Sequence, residues 1–95
     1  METIPAMIND EERMRFEIAL GEEFAFIEYR WHDGNIVLMH TEVPESMRGK
    51  GIAQKLAKEA FEYIRDHNLQ AVVYCPFLLS YLKRHPEYSD MVVNS

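Results

Sequence analysis

The chain has 95 residues, enough for one small domain that buries roughly 60–65% of its unfolded surface. Ten Lys and Arg against sixteen Asp and Glu give a net charge of −6, a field that repels phosphate backbones and anionic lipid heads and argues against nucleic acid or membrane as the main partner. The single Cys75 excludes an internal disulfide, the first ten residues lack the basic and apolar blocks of a secretory signal, and no stretch approaches the roughly 20 apolar residues of a membrane span; a cytoplasmic protein is expected.

Residues 1–10 show no periodic pattern and read as a loose N-terminal arm. From Arg13 to Leu20, apolar Met14, Phe16, Ile18 and Leu20 alternate with Arg13, Arg15 and Glu17, the period of a strand with one solvated face. Gly21-Glu22-Glu23 reads as a short turn, and Phe24 to Trp31 as a second strand rich in aromatic and branched residues. His32-Asp33-Gly34-Asn35 is a hairpin signal, because Asp-Gly accepts the positive φ angles such turns need. Ile36 to Val43 makes a third strand, closing a meander.

After Pro44 and the glycines at 49 and 51, Ile52, Ala53, Leu56, Ala57, Ala60, Phe61 and Ile64 fall at helical spacing, and Asp66-His67-Asn68 ends that helix. Ala71 to Tyr74 is an uninterrupted apolar run, as expected of a buried strand; Pro76 stops it, and Leu78, Leu79, Tyr81 and Leu82 suggest a second helix before Pro86. The expected fold is a single α/β domain over residues 1–95. An antiparallel three-stranded meander leads into a right-handed β-α-β crossover with parallel strands and a C-terminal helix.

Chemistry concentrates at the join between the third strand and the first helix. A helix start carries N–H groups without partners and a partial positive charge, so phosphate fits there. Gly49 and Gly51 allow close approach to the backbone, and Arg48 and Lys50 add positive charge. On composition alone a simpler reading stands beside this one: loop glycines between two solvated cations. A P-loop is excluded, since no G-x-x-x-x-G-K-[ST] occurs, and a dinucleotide fingerprint lacks its third glycine.

The run Val43-Pro44-Glu45-Ser46-Met47-Arg48-Gly49-Lys50-Gly51-Ile52-Ala53 resembles the coenzyme A motif [QR]-x-x-G-x-[GA] of GNAT acetyltransferases, with Arg48, Gly51 and Ala53 at its defining positions. His40-Thr41-Glu42-Val43-Pro44 is similar to the short, single-domain GNAT-like subfamily. Tyr81-Leu82-Lys83-Arg84-His85-Pro86-Glu87-Tyr88 is similar to the superfamily's Y-x-K-x-G-[FY] ending, with Pro86 where glycine is usual. The resemblance covers residues 12–90 and implies an acetyl-CoA-binding N-acetyltransferase. Val43, Arg48, Gly49, Lys50, Gly51, Ile52 and Ala53 would hold the cofactor, the backbone N–H groups from Arg48 to Ala53 taking the pyrophosphate. One departure stands out. Typical members carry two helices between their first and second strands, which shape the acceptor site, and here Gly21-Glu22-Glu23 replaces them.

Acetyl transfer to an amine needs a base, oxyanion donors and an acid for the leaving thiolate. The resemblance nominates Tyr81 as the acid; the alternative is a core residue with its hydroxyl at the surface. His40 and Glu42 share a strand face and either could be the base, or both belong to a solvated polar patch. Cys75 closes the buried strand where two parallel strands should part, and ligands of open α/β sheets gather at such strand ends. It is a small buried hydrophobe, a thiol beside the acetyl group, or a transient acyl carrier. His32, His67 and His85 have no metal-site spacing. The expected activity is transfer of acetyl from acetyl-CoA to a primary amine, small molecule or protein, by direct attack. The alternative is a CoA-binding or protein-interaction module with weak or lost catalysis.

Overall fold

Alternating side chains and two glycine-bearing turns fold the first half of the chain into antiparallel strands. In the computed structural model, which describes residues 4–94, β1 (Ile8–Asp10), β2 (Arg15–Leu20), β3 (Glu23–His32), β4 (Asn35–Glu42) and β5 (Ala71–Val73) lie in that order in one five-stranded sheet. Gly21 joins β2 to β3 at φ 65°, and Asp33 and Gly34 join β3 to β4 at φ 51° and 79°, the left-handed angles of tight hairpins.

Two expectations need correction here. The N-terminal arm is not loose throughout: Ile8, Asn9 and Asp10 pair antiparallel with Glu17, Phe16 and Arg15, and the Met7 N–H donates to the Glu59 carboxylate at 3.1 Å. The meander therefore has four strands. Nor is the polar face of the next strand fully solvated, because Glu17 is only 2% exposed. Arg15 Nε donates to its carboxylate at 2.8 Å while the same guanidinium lies over the Phe26 ring, so the charge is paired as it is buried.

The stripe Ile52, Leu56, Ala57, Ala60, Phe61 and Ile64 of α1 (Ile52–Asp66) is buried, and α1 packs across β2 and β3. Asn68, at φ 55°, ends it in a left-handed cap, with the Leu69 N–H donating to the Ile64 carbonyl at 2.9 Å. The chain then enters β5, parallel to β4 through Ile36–Ala71, Val37–Val72 and Leu38–Val73, as the crossover requires. Pro76 opens α2 (Pro76–Arg84) at its first position, where a missing N–H costs nothing. Phe61 joins the two helices, its ring 6.0 Å from Tyr81 and 5.6 Å from Tyr88.

A 3₁₀ segment, Pro86–Met91, brings the C-terminal residues to the free edge of β5. Val92 bridges Ala71 in parallel, and the Val93 N–H donates to the Ala71 carbonyl at 2.9 Å. The Asn94 side chain continues the ladder: its Oδ1 accepts the Val73 N–H at 3.0 Å and its Nδ2 donates to the Val73 carbonyl at 2.9 Å.

Candidate functional site

The loop between β4 and α1 is built by its punctuation. Pro44 keeps Val43 extended and starts a short 3₁₀ turn, Glu45–Met47, that buries Met47 as a floor. Gly49 at φ 79° and Gly51 at φ 75° then turn the chain into α1. A Cβ at either glycine would meet nothing within 4 Å, so these glycines serve the backbone angle and leave open space above them. The space is a cleft of about 270 Å³ lined by Val43, Arg48, Gly49, Gly51, Ile52 and Ala53 over Met47.

The cleft's chemistry comes from unspent donors. Among the described residues no side chain caps α1, and its first turn holds no acidic residue. The ladder begins with the Lys55 N–H donating to the Gly51 carbonyl at 3.1 Å, so the three preceding N–H groups have no acceptor within the helix. They carry the positive end of the helix dipole into the cleft. Arg48 Nε donates to the Val43 carbonyl at 3.1 Å, tying the loop together, and its terminal nitrogens have no partner among the described residues. Lys50 lies apart from the other six expected contacts, lining a neighbouring hollow of about 480 Å³ with Glu22, Glu23 and Ser46.

The sheet opens beside this cleft. The last backbone bond between β4 and β5 runs from the Tyr74 N–H to the Leu38 carbonyl, at 3.0 Å. Just there β4 bulges: Tyr29 opposes Leu38 and Glu28 opposes His40, leaving Met39 as the extra residue. The bulge reverses the alternation, so that Thr41, opposite buried Ile27, turns inward and His40 turns outward. Past the last ladder bond, the gap is spanned by Cys75 Sγ and Thr41 Oγ1 at 3.2 Å.

This strand–loop–helix arrangement has counterparts. Residues 15–91 match the GCN5-related N-acetyl-transferase family. The chain belongs to that family. It is 36% identical over 81 residues to Protein NATD1 of Mus musculus, covering 82% of this chain and 74% of that one. Against Protein NATD1 of Danio rerio it is 33% identical over 91 residues, 90% of this chain and 83% of that one. The NMR solution structure of a GCN5-like protein from Staphylococcus aureus superposes with a TM-score of 0.70 at 30% identity, covering 92% of this chain and 86% of that chain.

Within this GCN5-related fold the candidate catalytic residues fall in three places. Cys75, 4% exposed, faces the core side of the split with Thr41. His40 and Glu42 lie on the opposite, helix-free face, both side chains 60% exposed, with His40 Nε2 3.4 Å from Glu42 Oε2. Tyr81 sits within the helix layer, 3% exposed and stacked on His85 at 4.1 Å as well as on Phe61. Burial, then Glu87 and Glu62, push its hydroxyl pKa above the ordinary 10.0. It does not line the cleft. Thr41 escaped sequence reasoning, because only the bulge at Met39 turns it inward, and a bulge leaves no mark in an alternating pattern. Among the described residues no three His, Cys, Asp or Glu side chains group as metal ligands, and no helix is long and apolar enough to cross a membrane.

Proposed function

We propose that this GCN5-related chain binds acetyl-CoA in the β4–α1 cleft and transfers the acetyl group to a primary amine by direct attack. The observation that carries the reading is the uncapped first turn of α1 opening between two left-handed glycines, with Arg48 on the wall. Pyrophosphate suits such a site: it takes several N–H donors at once, needs close backbone approach, and gains from the helix dipole and a guanidinium. Family membership supports acetyl transfer to nitrogen as the reaction class.

The remaining residues take roles consistent with their surroundings. His40, held by Glu42 on the open face, is our candidate base for the amine proton. Cys75, buried and hydrogen-bonded to Thr41, acts as a neighbour of the thioester and not as an acyl carrier, because a sulfur packed into the core leaves no room for an acetyl adduct. The contacts of Tyr81 are those of a packing residue, and the Gly21-Glu22 turn leaves no helix over the acceptor side. Those two observations favour a second reading, a CoA-binding module of weak catalysis, which turnover of acetyl-CoA with a panel of amines separates from the first. In either reading the partners are acetyl-CoA and an amine-bearing molecule in the cytoplasm, with neither nucleic acid nor membrane.

A thermal-shift titration tests the binding claim. Acetyl-CoA at 100 times its dissociation constant adds about 2.7 kcal/mol and should raise Tm by on the order of 10 °C in a domain of this size. Arg48→Glu should weaken binding at least tenfold, about 1.4 kcal/mol, with the circular dichroism spectrum unchanged. No shift with millimolar CoA or acetyl-CoA would overturn the reading.

A further inference from the structure

We propose that Thr41 and Cys75 form the wall that sets the length of the acyl group, admitting acetyl and turning away longer chains. The inference rests on the acetyl-CoA reading above, and it begins with direction. Val43 lines the cleft, and Thr41 lies two residues back along the extended chain, on the same side and roughly 6.6–6.8 Å away. A ligand with its phosphates on the first turn of α1 and its arm running back along β4 therefore meets Thr41 next.

The route is open in backbone terms as far as that point. Beyond the Tyr74-to-Leu38 bond, β4 and β5 share no ladder: β4 bulges at Met39 and the chain after Cys75 enters α2. An extended arm carrying amide groups can take up strand-like bonds in such a gap. The gap is then closed by side chains. Sγ and Oγ1 are 3.2 Å apart, a separation that admits neither a water nor a methylene between them. Behind Cys75 the packing is tight, with Val73 1% exposed and Leu38 and Leu78 fully buried. An acyl chain reaching this wall cannot push it back without disturbing the core.

Thr41 supplies the inward hydroxyl and methyl of the wall, and Cys75 the sulfur. Removing either opens space for one or two more heavy atoms. A pocket of this kind discriminates by roughly 10–200-fold per methylene.

The test is equilibrium binding of CoA, acetyl-CoA, propionyl-CoA and butyryl-CoA to the wild-type chain and to Thr41→Ala, Thr41→Leu and Cys75→Ala. Each variant is normalised to its own affinity for free CoA, which removes general effects on the cleft. Wild type should prefer acetyl-CoA to butyryl-CoA at least tenfold. Thr41→Ala and Cys75→Ala should each lower that preference to about threefold or less. Thr41→Leu should weaken acetyl-CoA at least tenfold relative to free CoA. A butyryl-to-acetyl ratio that is near one in wild type, or the same in every folded variant, overturns the wall while leaving the CoA site standing. Failure of wild type to bind free CoA removes both.

Discussion

The first turn of α1 and the flank of its last turns treat polar groups in opposite ways. On the flank polar side chains are paired with one another: Tyr29 Oη donates to Asn9 Oδ1 at 2.6 Å, Asn9 Nδ2 donates to Tyr63 Oη at 3.0 Å, and Glu59 takes the Met7 N–H at 3.1 Å and Lys55 Nζ at 3.0 Å. At the first turn, N–H groups and the terminal nitrogens of Arg48 are left unspent around a cleft. Among the described residues no buried side-chain nitrogen or oxygen lacks a partner, so this fold does satisfy its polar groups where stability depends on them. The contrast marks one end of the helix as scaffold and the other as receptor.

The sharpest way to break that contrast is at Gly51. Gly51→Val forces a branched residue into φ 75°, costing about 1–2 kcal/mol of stability. It also fills the empty space of the cleft, so CoA affinity should fall at least a hundredfold, about 2.7 kcal/mol. Gly51→Asn separates the two effects, since Asn tolerates the left-handed region. Calorimetric titration should show most of the affinity loss with less of the melting loss. Wild-type affinity in the Asn variant would mean that the glycine serves only its backbone angle.

A middle-sized effect is expected on the scaffold side. Tyr29→Phe removes the hydroxyl that donates to Asn9 and should cost about 1–2 kcal/mol in urea melts. Acetyl-CoA affinity should stay within twofold (about 0.4 kcal/mol). A larger change in affinity would join the two regions that the contrast separates.

The effect that is silent at neutral pH comes last. Burial, with the hydrogen bond to Glu62 next, raises the Tyr88 hydroxyl from 10.0 to about 12. The folded chain therefore keeps a proton that the unfolded chain releases above pH 10. The stability this proton confers is complete below pH 10 and is lost as pH rises toward about 12. Tyr88→Phe should flatten that decline in melts between those two values.

Much of the scaffold was legible because it follows from periodicity and turn chemistry. The α1 stripe, the Asp33-Gly34 hairpin and the parallel return of β5 each express a pattern that one stretch of sequence contains by itself. β1 was not legible: Ile8-Asn9-Asp10 has no alternation, and it is held by Asn9 and Met7 reaching residues more than fifty positions away. Glu17 looked solvated because part of its cover, the Phe26 ring on which the Arg15 guanidinium lies, comes from the neighbouring strand β3. At the site, the glycine motif located the cleft, whereas the Thr41–Cys75 contact depends on a bulge and on two strands separating.

A pair of hydrogen bonds makes the Asn94 amide, and not merely its length, the group that fits Val73. Hydrolysis of the Asn94 amide, which consumes water and releases ammonia, would replace Nδ2 by oxygen, and the atom that now donates to the Val73 carbonyl would become an acceptor facing an acceptor. One hydrogen bond would turn into a repulsion, at the edge of the strand that leads into Cys75. Asn94→Asp makes the same exchange directly and should loosen this edge of β5, read as faster amide exchange at Val73 than in the parent chain.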